Sequence, residues 1–161
     1  MQDVFPAVAK DLEAQGLRIV GPNHVRPWGS FIYIDEAQIH PFAAVFFPYL
    51  TPEDLPEHQK FSPKMLMVAP HKRLSWQYHH RRAELWRVVE GPIGVAQSDT
   101  DEESAPKTYE AGDIIVLRKG ERHRLVGLDN WGVVAEIWQH TDPENASDED
   151  DIVRLQDDFK R

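Results

Sequence analysis

The stretch "LSWQYHHRRAELWRVVEG", residues 74–91, decides how this chain is read. Both halves are rich in aromatic and β-branched residues, and a polar corner separates them, so it reads as two strands folded back on each other. Side chains two apart in a strand share a face. Gln77, His79 and Arg81 therefore look one way, and Trp76, Tyr78 and His80 the other. Glu84 opens the return strand just past "RRA" and comes back to the face of Gln77 and His79. His123, after "RKGE", is offered by another hairpin. Glutamine, histidine, glutamate and histidine form a first shell for a divalent cation. With no thiolate among them, zinc, iron(II), manganese and cobalt all remain open, and coordination positions can stay free for substrate. His24, His40, His58 and His71 have no ligand-like neighbours and read as ordinary packing or surface residues, as does His80.

Working outward, short strand candidates crowd the chain. They are "SFIYID" (30–35), "AAVFF" (43–47), "KMLMVA" (64–69), "IGVAQS" (93–98), "KTYE" (107–110), "DIIVLRKG" (113–120), "HRLVGL" (123–128) and "VVAEIWQ" (133–139). Turn residues separate them, as in "EGPIG", "YEAGD" and "LDNWG". Many short strands with almost no helix between them predict an all-β chain, a small antiparallel barrel or jelly roll. Helical spacing of Val4, Val8 and Leu12 predicts an amphipathic N-terminal helix within the first seventeen residues. "GPN" (21–23) reads as a turn, and "EDDIVRLQDDFKR" (149–161) as a short helix or an extended tail. The expected organisation is one domain over 1–161, with a helix and lead-in to residue 25 and the barrel and C-terminal segment from residue 26.

Bulk properties narrow the function. The 161 residues carry a formal net charge of −9, which repels a polyanion and argues against nucleic acid as a partner. Six acids fall in "TDPENASDEDD" (141–151) and read as a solvated segment. No apolar run approaches the ~20 residues of a membrane span. The absence of cysteine and of a signal-like N-terminus fits a cytoplasmic location.

The spacing of these residues resembles the cupin family. Its first motif (a glycine, a His-x-His pair, a glutamate and a closing glycine) lies along His71, Gln77, His79, Glu84 and Gly91. The second (glycine, proline, glycine, histidine, asparagine) lies along Gly112, Arg118, Gly120, His123 and Gly127. Four positions depart, at His71, Gln77, Arg118 and Gly127. Residues 74–91 are also similar to the "LSLQxHxxRxExWxVVxG" signature of cupin-type mannose-6-phosphate isomerases. "RPWGSF" (26–31) and "EDDIVRLQDDFKR" resemble flanking stretches of the same family, so the likeness covers 26–35 and 64–161.

The resemblance implies a metal-dependent aldose–ketose isomerase with Gln77, His79, Glu84 and His123 as ligands and zinc first among the candidate ions. Its default reaction is mannose 6-phosphate to fructose 6-phosphate through an enediol. A heptose phosphate, a free pentose, a sugar-binding cupin without turnover and a metal-dependent dioxygenase are the alternatives. Such chemistry needs a base near C1 and C2, for which Glu136 is the candidate, with Lys64 orienting substrate hydroxyls. A phosphate calls for arginine, and Arg82, Arg124 and Arg81 are the candidates; by alternation Arg124 faces away from His123. Arg26, Arg154 and Arg161 read as ion-pair partners of the acidic tail. A homodimer is the family's expected assembly. Activation of the sugar to a nucleotide-sugar is not expected, since no Gly-rich phosphate loop appears in the first 60 residues.

Overall fold

The computed structural model describes residues 3–161. A helix α1 (Phe5–Ala14) leads into strands β1 (Ile19–Arg26) and β2 (Gly29–Ile34), then a helix α2 (Ile39–Phe46). Strands β3 (Phe61–Val68), β4 (Trp76–Tyr78), β5 (Arg82–Glu90), β6 (Ile93–Ser98) and β7 (Lys107–Tyr109) follow. The chain closes with β8 (Ile114–Leu117), β9 (Arg122–Gly127), β10 (Gly132–His140) and β11 (Val153–Gln156). They form two sheets, β1-β2-β3-β10-β5-β8 and β11-β4-β9-β6-β7, and every strand pairing is antiparallel. This is the expected jelly roll.

Two apolar layers hold it. Between the sheets lie Phe31, Leu66, Trp86, Val88, Val134 and Leu117 of one sheet against Ile93, Val95 and Leu125 of the other. On the outer face of the six-stranded sheet, Ile32, Ile34, Met65, Met67, Ala135 and Ile137 pack under α1 and α2. All of β3 is therefore buried, which explains why "KMLMV" shows no alternation of polarity: both faces are covered.

That second layer corrects one expectation. "AAVFF" is not a strand; all but its last residue, Phe47, belongs to α2, whose buried Phe42, Ala43 and Phe46 recur at helical spacing and cover the sheet. A short apolar run carries no periodicity of its own, and the helical signal emerges only when Ile39 and Phe42 are included. Two smaller adjustments follow. "GPN" lies inside β1, where pairing with β2 is interrupted between Val20 and His24. The C-terminal segment is extended, and its β11 pairs with β4. α1 buries Val8 and Leu12 as expected; residues 1 and 2 of the expected helix lie outside the described residues.

The two departures at backbone positions of the motifs differ in their physical consequence. His71 replaces a glycine yet adopts φ 59°, a left-handed conformation that costs a non-glycine residue about 1–2 kcal/mol. Gly127 replaces an asparagine because the chain at Ala69 presses on it: a Cβ there would sit 2.1 Å from the Ala69 carbonyl oxygen. Gly127→Ala is expected to lower stability by about 2–4 kcal/mol, measured by denaturant unfolding, since backbone rather than a flexible side chain must move.

Candidate metal centre and its cavity

The inner face of the six-stranded sheet turns polar at one end. Glu136 of β10 stands between Lys64 of β3 and Trp86 of β5 in register, while Trp138 stands opposite Glu84. From the facing sheet, Gln77 of β4 is paired directly with His123 of β9, and His79 follows immediately. All eight side chains are buried.

His79, Glu84 and His123 converge, with one ligand atom from each lying within 4.8 Å of the others. His79 Nε2 is 3.4 Å from Glu84 Oε1, and His123 Nε2 is 3.5 Å from Glu84 Oε2. Each ring is oriented from behind: His79 Nδ1 donates to the Asp151 carbonyl at 2.6 Å, and His123 Nδ1 to the Glu121 carbonyl at 3.1 Å. These bonds place the proton on Nδ1 and aim the Nε2 lone pair inward, the tautomer a metal ligand needs. The Gln77 amide nitrogen donates to the Ser75 carbonyl at 3.3 Å, leaving its oxygen for the cavity. Burial lowers the His79 pKa to about 3 against the pull of Glu84, so the ring is neutral across the ordinary pH range. Burial alone would raise Glu84, but the Arg82 guanidinium, which donates to it, outweighs burial and holds the carboxylate well below its usual range.

The donor set fits a divalent cation. Glu84 Oε2 is buried without a hydrogen-bond partner among the described residues, a costly condition that a cation beside His123 relieves. The other oxygen is occupied by Arg82, which donates to Glu84 Oε1 at 3.0 Å and to His79 Nε2 at 3.2 Å. Arg82 is further tied to Ser147 Oγ and the Asp148 carbonyl, and its guanidinium lies 3.6 Å over the Trp138 ring.

Glu136 has a different environment. Trp86 Nε1 donates to one of its oxygens at 2.7 Å and Trp138 Nε1 to the other at 2.9 Å. Burial and the nearby Glu84 carboxylate raise its pKa to about 8, Lys64 opposing. Lys64 Nζ is 3.8 Å from Glu136 and donates to Glu149 at 2.9 Å, lying about equally over the Phe31 and Trp138 rings, at 4.2 and 4.3 Å. Two carboxylates one row apart on one sheet face, roughly 7–8 Å for such a diagonal, thus have opposite pKa shifts.

The cavity has a volume of about 80 Å³; Arg82, Lys64 and Glu136 share its lining with Gln77, Glu84 and His123. Neither Arg81 nor Arg124 reaches it. Arg124 is fully buried on the far side of β9, where it donates to both Glu103 oxygens at 3.0 Å and to Gln156. Arg81 turns outward toward Asp148 and Asp151. Arg26 and Arg154 line the mouth and have no ion-pair partner among the described residues, contrary to the expected pairing with the tail. Arg161 does pair, with Asp157.

The acidic segment is the larger surprise. It was expected in solvent, yet Asp151 is buried. Its carboxylate accepts from His80 N, Arg81 N and Ser147 Oγ, at 2.9, 3.0 and 2.6 Å. Burial pushes its pKa up, but these bonds outweigh it and bring it to about 2. A depressed carboxylate contributes stability above its unfolded pKa and loses it as pH falls toward the folded one. Asp151→Ala is therefore expected to cost about 2–3 kcal/mol near neutral pH. The deficit should shrink between about pH 4 and about 2 in a series of unfolding curves.

Residues 35–157 match the family described as "Mannose-6-phosphate isomerase C-terminal". Alginate biosynthesis protein AlgA of Pseudomonas aeruginosa is 33% identical over 164 residues, covering 100% of this chain and 28% of that protein. Xanthan biosynthesis protein XanB of Xanthomonas campestris pv. campestris is 33% identical over 136 residues, covering 84% and 23%. The chain thus spans about a quarter of the length of these relatives. Oxalate decarboxylase of Bacillus subtilis superposes with a TM-score of 0.57 at 15% identity, covering 83% of this chain and 30% of that one, and shares the fold alone. The barrel and the match over 35–157 together show that this chain belongs to the mannose-6-phosphate isomerase C-terminal family.

Proposed function

We propose that this chain is a metal-dependent aldose–ketose isomerase of sugar phosphates, with mannose 6-phosphate and fructose 6-phosphate as the default pair. Gln77, His79, Glu84 and His123 would hold the divalent ion, zinc first and iron, manganese or cobalt as alternatives. When bound, it supplies electrostatic stabilisation of the charge that develops on substrate oxygens as a carbon-bound proton leaves.

The observation that carries the reading is the opposed pair of carboxylates. Glu84, held ionised, suits a cation; Glu136, its pKa raised to about 8, suits a base that takes a proton from C2 and returns it to C1. Lys64, caged by Phe31 and Trp138, donates to a sugar oxygen. The cavity is small beside the ~300–1,000 Å³ of ordinary ligand pockets. A sugar phosphate would thus place its reacting end inside and its phosphate at the mouth, by the unpaired Arg26 and Arg154.

A second reading, sugar binding without turnover, is favoured by one contact: Arg82 already satisfies Glu84 Oε1 and His79 Nε2. Chelator-treated and metal-reconstituted protein, each supplied with mannose 6-phosphate, separate the two. Fructose 6-phosphate forming only after reconstitution supports the isomerase; a sugar that binds but is never converted supports the second reading.

A further inference from the structure

Four serines in the described chain are buried. Ser30 Oγ reaches Met67 sulfur, Ser62 Oγ bonds Glu36 and His140, and Ser147 Oγ bonds Asp151 and Arg82. Ser75 is 0% exposed, lines the cavity, and its Oγ has no hydrogen-bond partner among the described residues. A buried hydroxyl left unpaired costs roughly 1–3 kcal/mol, so a group that persists in this state at the wall of a cavity points to a ligand.

Its place on the strand says which part of the ligand. Ser75, Gln77 and His79 alternate onto the same inner face, and each two-residue step advances about 7 Å. Ser75 therefore lies one step beyond Gln77, away from the His79–Glu84–His123 cluster. A 6-phosphorylated hexose extends roughly 7–10 Å from O1 to phosphorus, by bond lengths near 1.5 Å. With its reacting end at the cluster, its phosphate falls near Ser75. The same wall carries Arg154, which is paired in register with Gln77, and the mouth carries Arg26. A free O–H in a cavity whose lining also carries the guanidinium groups of Arg26 and Arg154, neither ion-paired among the described residues, matches an anion, because the hydroxyl has a donor to give and no acceptor to give it to.

We propose that Ser75 is a substrate-binding residue whose hydroxyl donates to the phosphate of a sugar phosphate seated in the cavity. The assignment rests on the sugar-phosphate reading of this site. The test compares full-length, zinc-loaded wild type and Ser75→Ala by calorimetric titration with mannose 6-phosphate, inorganic phosphate and mannose, alongside thermal unfolding without ligand. Affinity for the two phosphate compounds should fall about tenfold and affinity for mannose stay unchanged. The unliganded melting temperature should hold or rise, because deleting an unpaired buried hydroxyl leaves nothing unsatisfied. A lower melting temperature with unchanged affinities would make the hydroxyl structural and overturn the proposal. So would equal losses for mannose and mannose 6-phosphate, or a wild type that binds neither phosphate compound. Ser75-dependent phosphate binding without isomerisation supports the subsite and removes the isomerase reading alone.

Discussion

His79→Ala and Glu84→Gln are each expected to abolish divalent-metal binding while the barrel stays folded. Both residues offer their ligand atoms from rigid positions: His79 is pinned by Asp151 behind it, and Glu84 stands in register between Trp138 and Leu117. Removing even a partner that orients a ligand costs roughly 10–100-fold in metal affinity, so removing the ligand itself should cost at least about a hundredfold. Elemental analysis after dialysis against a weak chelator, paired with circular dichroism, checks both halves of the statement. The choice of glutamine matters. Glu84→Ala would leave Arg82 buried without its counter-charge, and losing one partner of a buried pair costs about 3–5 kcal/mol. A collapse of that variant would say little about metal. Glutamine keeps an acceptor for Arg82 Nε and removes the charge that attracts the ion. Full metal content in both His79→Ala and Glu84→Gln sinks the ligand assignment.

Glu136→Gln is expected to lower kcat by about 10²–10⁴-fold, with metal content unchanged and KM within a few-fold. The substitution preserves the shape of the carboxylate but cannot accept a proton. It also turns an amide N–H₂ toward one of two indole donors, since Trp86 and Trp138 each point at a separate oxygen. A stability loss of about 1–3 kcal/mol should accompany it. Trp138→Phe serves as the control, because it removes one donor while leaving the base in place. In the parent protein, turnover should rise with pH as Glu136 ionises. The rise should fall below pH 8 once a cation neutralises Glu84, the second cause of the raised value. An unchanged kcat in Glu136→Gln assigns the proton transfer elsewhere.

Much of this site could be read from residue order, because alternation in a strand is a local property. Gln77, His79 and Glu84 needed only the hairpin at 74–91 to be placed on one face, and the same rule turned His80 and Arg124 away from it. Arg81 misled, because it follows His79 at the corner itself, where alternation no longer applies. What could not be read depends on contacts between distant parts of the chain. Asp151 and Glu149 sit in an acidic run that looks solvated; only the pairing of β11 with β4 brings one behind His79 and the other onto Lys64. α2 was hidden for a related reason, since the surface it covers is the outer face of a sheet assembled from strands far apart in sequence. Ser75 carried a signal that needs the structure to be noticed: two residues before Gln77 it shares the ligand face, but its lack of a partner is a three-dimensional fact.

Proton transfer between C1 and C2 of a sugar phosphate at the candidate metal centre is the step on which the proposed activity stands. Proton NMR of the metal-loaded protein with mannose 6-phosphate in D₂O tests it most directly. Fructose 6-phosphate signals and deuterium incorporated at the exchanged carbon are expected, both lost on chelation and in Glu136→Gln. A sugar phosphate that binds the metal-loaded protein yet neither converts nor exchanges would contradict it.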